Sequence, residues 1–392
     1  MKIAIISTMQ PSPWGGSEEL WADMANQALE DSHQVVVSVY HWPTTPSKIV
    51  ELQQKGAQII RQPNPRFQRQ PNRLARVFNK SLSLLRSLFH VSSNSLSTFD
   101  SLFRLKPDVV CISQGATYES IRLNHLLNLL YAASIPYVVI CHMNRDTLIP
   151  DSTTRVTTTK FFAHAYRVAF VSDHNLKITE RQLASKLSNA IILRNPVNLV
   201  EVARLPWPPS GSFNMASVAR LQASFKGQDV LFEALGSELW QGRNWRLRLF
   251  GEGPDKEYLQ ELVRYYGIAE HVEFLGHVKD IRAIWSENHL LVLPSRAEGT
   301  PISLVEAMLC GRPSIVTDVG GNAEWVNEPQ TGFIAEAPTA NSFGAALERA
   351  WLARNTLEEI GVRAYDKALT LFDKTPGRSL LKITLDAAQS AV

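Results

Sequence analysis

LLVLPSRAEGTPISLVEAMLC, Leu290–Cys310, is the stretch on which the reading of this chain turns. The apolar run Leu290–Leu293 stops at Pro294, a short polar loop follows, and the spacing then predicts a helix. Thr300 is the residue type that caps such a helix and Pro301 the type that opens its first turn. Glu298 falls in the loop and Glu306 in the second helical turn, eight positions later. First-turn N–H groups lack internal partners and carry the positive end of the helix dipole, so this mouth suits an anion. A phosphate on the helix start, with two carboxylates holding hydroxyls around it, is the shape of a nucleotide-sugar site.

Composition sets the frame. At 392 residues the chain exceeds what one core usually serves, so two domains are expected. With 45% hydrophobic and 20% charged residues it is of the globular enzyme class, and a net charge of +3 is too small to argue for nucleic acid. Cys111, Cys141 and Cys310 lie far apart in apolar contexts and fit neither a metal spacing nor a disulfide framework, which points to a reducing, cytoplasmic compartment. Met1–Ser7 is too short an apolar run for a signal peptide, and Leu126–Cys141 is broken by Asn128, Ser134 and Pro136, so no membrane span is expected.

Outward from the central stretch, apolar runs alternate with helical patterns. Lys2–Ile6, Val35–Tyr40, Gln58–Ile60, Asp108–Ser113, Tyr137–His142, Phe170–Ser172 and Ile191–Leu193 read as strands of a first parallel sheet. The loop STMQPSPWGGS, Ser7–Ser17, between the first strand and a helix from Glu18 to about Glu30, opens the series. Gly15-Gly16 lets backbone approach a ligand, although a plain tight turn explains it equally, and the dinucleotide fingerprint G-x-G-x-x-G is absent. His142 falls just past a strand end, followed by Asn144, Arg145 and Asp146, where parallel sheets place their ligand crevice. Leu205–Ser212 (LPWPPSGS) is the clearest linker. After it come Phe213–Val218, Arg246–Phe250, Val272–Leu275, Leu290–Leu293 and Pro313–Thr317, and then helices at Phe343–Arg354 and Leu357–Phe372. The expectation is an α/β chain of two Rossmann-like, doubly wound domains facing a cleft, residues 1–204 and 205–370, with a helical tail 371–392 packing back on the first.

Between Glu51 and Asp100 no acid occurs, while eight Lys and Arg residues accumulate from Lys55 to Arg86. Leu74, Val77, Phe78, Leu82, Leu85, Leu88 and Phe89 follow helical spacing in this segment. It reads either as a helix packed on the sheet, the commoner case, or as peripheral contact of the basic 55–90 region with an anionic membrane or a lipid-linked acceptor.

The second half carries four features in order, each just after a strand. Ala219-Arg220-Leu221 follows Phe213–Val218, and Lys226-Gly227 comes six residues after Arg220, so two fixed cations are available to a diphosphate. Gly251-Glu252-Gly253-Pro254 is a tight turn after the next strand, Phe274-Leu275-Gly276-His277 offers backbone groups to a base, and the central stretch runs on to Asp318-Val319-Gly320-Gly321-Asn322-Ala323-Glu324. Any one of these is common; the ordered set is not.

EGTPISLVEAMLCGRPSIVTDVGGNAEWV, Glu298–Val326, resembles the signature of the family-four retaining glycosyltransferases of GT-B fold, two glutamates with seven residues between them. The likeness runs from about Arg220 to Phe333. It implies transfer of a hexose, with retention, from a nucleoside diphosphate sugar (UDP-glucose the default) to a hydroxyl of a glycan or lipid-linked acceptor, in polysaccharide or glycoconjugate synthesis. It implies that Glu298 holds sugar hydroxyls, Glu306 the ribose diol, and Arg220 and Lys226 the diphosphate. Backbone around Gly299, Thr300, Pro301, Ile302 and Ser303 would assist at sugar and phosphate oxygens. Gly253 sits in the turn beside them, Leu275 would meet the base through backbone, Gly16 would approach the β-phosphate, and His142 would lie beside the transferred sugar. The departing phosphate oxygen would take the acceptor proton. No Asp-x-Asp occurs, so neither metal nor cofactor is expected. Ala219 before the arginine, Pro196-Val197-Asn198 in place of Gly-Val-Asp after Asn195, and Gln114 in place of histidine depart from the pattern, and are expected to touch loops and acceptor contacts more than the donor clamp. The competing readings are an epimerase or phosphorylase of the same fold, or a silent nucleotide-sugar-binding subunit.

Overall fold

The computed structural model describes residues 1–10, 12–67, 97–209 and 211–390. The helix expected around Leu74–Phe89, and the membrane contact attached to it, lie outside the described residues.

In the first sheet β1 (Lys2–Ser7), β2 (Gln34–Tyr40), β3 (Gln58–Gln62), β4 (Val109–Gln114), β5 (Tyr137–Cys141), β6 (Arg167–Phe170) and β7 (Ala190–Ile192) stand in the order β3-β2-β1-β4-β5-β6-β7. The second sheet holds β8 (Phe213–Val218), β9 (Trp245–Phe250), β10 (Val272–Gly276), β11 (Leu290–Leu293), β12 (Ser314–Thr317) and β13 (Gly332–Ala335), in the order β10-β9-β8-β11-β12-β13. Both are doubly wound. Ile3 pairs in parallel with Val35 on one side and Val109 on the other, and Leu291 pairs with Ala216 and Ser314. In each sheet the strand order reverses beside its first strand, and ligands of such sheets bind beyond the strand C-termini at that reversal. The second reversal lies between β8 and β11, the strands that lead into Arg220 and Glu298.

The unbroken apolar character of β11 has a direct cause. Leu290 and Val292 enter the core shared with Leu247, Ile315 and the helix Ala340–Leu352, whereas Leu291 and Leu293 enter the core on the opposite face with Val316 and the helix Ile302–Leu309. A strand covered on both faces cannot alternate with polar residues.

By contact the chain divides into two compact units, one of Met1–Ile140, Lys160–Arg167 and Gly377–Val392, the other of Cys141–Thr159 and Val168–Pro376. The division therefore does not fall at the proline-rich tract. In the first unit, Gly377 N–H donates to Asp23 at 2.9 Å and Arg378 pairs with Asp31.

In the second unit, Arg312 explains why the proline-rich tract is not a loose spacer. Its side chain is 1% exposed, and its guanidinium donates to the carbonyls of Trp285 (2.8 Å), Asn288 (3.1 Å), Leu205 (3.3 Å) and Pro206 (2.6 Å) and stacks on Trp207. Burial pulls its pKa down to about 10. Arg312→Met takes the guanidinium away from these buried carbonyls, and should lower stability by about 3–5 kcal/mol, read as a lower urea midpoint at unchanged slope.

Some boundaries differ from expectation. The strand expected at Phe170–Ser172 runs Arg167–Phe170, because Ser172 instead caps the helix Asp173–Leu183, its hydroxyl accepting from Asn175 N–H at 3.2 Å. β13 was not expected; its four residues begin at a glycine and carry no long apolar run.

Candidate functional site

The site in the second unit is built on the loops after β8 and β11. Lys226 ends the short helix Ala223–Lys226, and Gly227 follows at φ +65°. A β-carbon on Gly227 would lie 2.0 Å from the Pro294 carbonyl oxygen, so only glycine lets the Lys226 turn press on the end of β11. There Lys226 Nζ donates to Glu298 Oε1 at 2.6 Å, and Ser295 Oγ donates to the same oxygen at 2.7 Å. The pair is largely withdrawn from water, with the side chains 25% and 6% exposed. Arg296 braces the arrangement from behind, its guanidinium forking onto Asp229 at 2.6 and 2.8 Å and reaching the Ala223 carbonyl at 2.7 Å.

Arg220 is half-buried at the end of β8, and its carbonyl accepts from Gln228 Nε2 at 2.8 Å. The Gly251–Pro254 turn packs on it from β9: Leu221 N–H donates to the Glu252 carbonyl at 3.2 Å, and Gly253 lies against Leu221 backbone. Leu275, near the end of β10, is exposed.

Glu298–Ser303 does not start as expected. The helix spans Ile302–Leu309 with Pro301 at the cap position and no side-chain cap bond. Thr300 is not the cap: its hydroxyl donates to the Val171 carbonyl at 2.7 Å, because a buried carbonyl after β6 is the stronger claimant. The same neighbourhood holds Gly299. A β-carbon there would stand 2.0 Å from the His142 carbonyl oxygen and 2.8 Å from Val171 Cγ2. Asn175 Nδ2 donates to the Glu298 carbonyl at 3.2 Å. The loop after β5 and the turn after β6 therefore close on the back of Glu298–Thr300. His142 is 5% exposed, and burial pulls its pKa down to about 4, so the imidazole is neutral above that pH.

Glu306 is 2% exposed and its Oε1 accepts from both the backbone N–H (2.8 Å) and the side-chain amide (3.1 Å) of Asn198. The departure at Pro196-Val197-Asn198, expected to matter on the acceptor side, thus touches one of the two site glutamates. Ser295, Asn175 and Asp229 are not singled out in the sequence, and Asn198 stands out there only as a departure from the resembled pattern. Asn175 and Asp229 come from distant segments without a local signal, whereas Ser295 lies two residues past β11. Glu324 proves to be a tie rather than an open ligand, accepting from Arg194 Nη1 at 2.8 Å and His174 N–H at 3.1 Å.

Gly16 belongs to the first unit. It is the first residue of the helix Gly16–Glu30, with Gly15 in extended conformation at the cap. Two residues on, Glu18 is 3% exposed and accepts from Ser7 Oγ at 2.6 Å and Ser17 Oγ at 3.2 Å. Burial pushes its carboxyl up to about 7 from an ordinary 4.5. Between those values the unfolded chain releases a proton that the folded chain keeps, so stability falls as pH rises from 4.5 to 7 and stays at the lower level above. Glu18→Gln should remove about 3 kcal/mol of that fall, visible as a flatter melting temperature across the window. A narrow cleft beside Glu18 is lined by Trp14, Tyr40, Trp42 and Arg61.

Comparison with known proteins follows the same geometry. The family description "Glycosyl transferases group 1" matches residues 212–352, the span that holds Arg220, Lys226, Glu298 and Glu306. Residues 212–352 are thus similar to the group 1 glycosyl transferases. An exopolysaccharide phosphotransferase of Streptomyces coelicolor is 30% identical over 143 residues, 36% of this chain and 15% of that one. N-acetyl-alpha-D-glucosaminyl L-malate synthase of Bacillus anthracis is 35% identical over 91 residues, 23% of this chain and 24% of that one. The matched stretches thus span less than a quarter of these two relatives. HepE of Anabaena, solved in complex with UDP, superposes with a TM-score of 0.67 at 17% identity over 100% of this chain and 99% of that one. At that identity the likeness carries the fold, which is GT-B. Two parallel Rossmann-like sheets account for every strand among the described residues that the sheet order contains.

Proposed function

We propose that the chain is a retaining hexosyltransferase that moves a sugar from a nucleoside diphosphate to an acceptor hydroxyl. The observation that carries this reading is the buried Lys226–Glu298 pair at 2.6 Å, set beside the start of the helix Ile302–Leu309 at the strand-order reversal. Transfer separates charge: the anomeric carbon becomes cationic while the departing diphosphate gains negative charge. Lys226, Arg220 and the N–H groups at the helix start are the fixed positive partners for that leaving group. Glu298 orients sugar hydroxyls, its position set by Ser295 and Lys226, and Glu306 takes the ribose diol. His142, neutral at working pH, serves the sugar as a hydrogen-bonding group. The acceptor proton goes to the leaving phosphate oxygen, so the reaction keeps the anomeric configuration without a glycosidase-type carboxylate pair.

UDP is the favoured nucleotide, supported by the UDP complex of HepE, and glucose is the default sugar. The acceptor is a glycan or lipid-linked glycan. A cytoplasmic setting, with peripheral membrane contact through the basic segment, completes the reading; among the described residues no helix is long and apolar enough to cross a membrane.

The test is a panel of UDP-, GDP- and ADP-sugars incubated with the chain in excess EDTA. One donor should be hydrolysed slowly with release of its nucleoside diphosphate, and chelator should not stop it. If every donor stays intact and none raises the melting temperature, the reading fails; loss in EDTA restored by Mg²⁺ or Mn²⁺ would remove its metal-independent part.

A further inference from the structure

We propose that Arg145 is a binding residue for the donor's diphosphate, a third cation at the mouth that already holds Arg220 and Lys226. The inference rests on the reading of that mouth as a nucleoside diphosphate site. The loop after β5 meets the site at two places. At its start the His142 carbonyl oxygen closes on Gly299, where a β-carbon would stand 2.0 Å from it. Three residues on, the guanidinium carbon of Arg145 lies 4.3 Å from the centre of the Phe225 ring. Phe225 precedes Lys226 in the short helix Ala223–Lys226, and its carbonyl accepts from Arg296 N–H at 2.8 Å and Ala297 N–H at 3.3 Å, beside Glu298. The loop thus runs from the Gly299 end of the site to its Lys226 end, and sets a guanidinium on the residue next to Lys226.

Arg145 is exposed, as most arginines are, but its backbone is fixed. Its N–H donates to Asn144 Oδ1 at 2.8 Å, and its carbonyl accepts from Gln182 Nε2 at 2.7 Å. Asn144, 4% exposed, donates through Nδ2 to Thr179 Oγ1 at 2.9 Å and Gln182 Oε1 at 2.8 Å, which ties this main chain to the helix Asp173–Leu183. The neighbouring acid is engaged elsewhere, since Asp146 pairs with Arg181 at 3.6 Å and His174 at 3.4 Å. Among the described residues no acid pairs with Arg145, and its guanidinium rests on a ring that supports the charge without supplying an oxygen acceptor. Its fork of N–H donors therefore remains for an anion, and phosphate oxygens match that fork. Lys226 shares its charge with Glu298 at 2.6 Å, so a multiply charged diphosphate calls for a further positive partner on this side of the mouth.

The experiment titrates wild type, Arg145→Ala, Arg145→Lys and Phe225→Leu calorimetrically at about pH 8 and one ionic strength, where the diphosphate keeps one charge state throughout. The probes are UDP, or the diphosphate that wins the donor panel, and its nucleoside, the latter read by displacement. Wild type should prefer the diphosphate. Arg145→Ala should bind it about 10-fold more weakly and bind the nucleoside within about twofold of wild type. Arg145→Lys keeps the charge without the fork, should lose about threefold on the diphosphate, and carries the test if the alanine variant does not fold. Phe225→Leu keeps apolar bulk without the ring and should also lose about threefold on the diphosphate alone. A merely structural role would weaken both probes alike, and that result overturns the inference. Unchanged diphosphate binding in Arg145→Ala overturns it too, leaving the transferase reading in place and the arginine to an anion on the acceptor. If wild type binds the diphosphate no better than the nucleoside, the mouth is not an anion site and both fall together.

Discussion

Lys226→Ala should lower turnover of the cognate donor by about 100- to 1000-fold, the loss typical when one fixed charge facing a leaving group is removed. Two effects add. The departing diphosphate loses a cation that is already held in place by Gly227 against Pro294, so no side-chain reorganisation has to be undone at the moment of bond cleavage. Glu298 also loses its partner at 2.6 Å while its side chain stays 6% exposed, with Ser295 left to hold it among the described residues. The second effect should cost roughly 1–3 kcal/mol of stability, the range for a charged hydrogen bond whose partner stays buried. Lys226→Arg restores the charge but not the length, and should recover stability better than turnover. Steady-state kinetics with thermal melts separates the two; normal turnover in Lys226→Ala would remove the leaving-group role outright.

Gly299→Ala should be nearly as damaging although it deletes nothing. The new methyl group would sit 2.0 Å from the His142 carbonyl oxygen, and carbon contacts under 3.0 Å are essentially absent from real structures. The loop must therefore retreat by about an ångström, carrying Glu298 on one side and Thr300 on the other. Displacement of that size at a reacting centre costs on the order of 100-fold in rate. Thr300 would also loosen its bond to the Val171 carbonyl, so the melting temperature should fall by several degrees. Activity and circular dichroism on the same preparation check this. A folded, fully active Gly299→Ala would mean that His142 and Glu298 are not tied through this contact.

How far the sequence could be read depended on the range of the interaction. β11 was legible because burial on both faces leaves an unbroken apolar run, and Arg220, Lys226 and Glu298 were legible because each falls just after a strand. The cap of the next helix was misread for a definite reason. Thr300 has the right type for a local cap, but a carbonyl 129 positions earlier in the chain takes its hydroxyl instead. Asn198 and Glu306 are 108 positions apart, and nothing in either neighbourhood announces their contact. The same holds for Asn175 and Glu298, 123 apart. Strand ends are written locally; the braces that fix a side chain's rotation are written in the tertiary structure.

The capture of Leu205 and Pro206 by Arg312 has a practical side for anyone who wishes to re-engineer the chain. A proline-rich tract looks like the natural seam at which to insert a reporter, lengthen a tether or open new termini. Here that seam is stitched into the second unit, since Leu205 also donates its N–H to the Cys310 carbonyl at 3.2 Å. Insertions between Leu205 and Trp207 would pull carbonyls off a buried guanidinium, whereas the side chain of Val200, five residues earlier, is fully exposed.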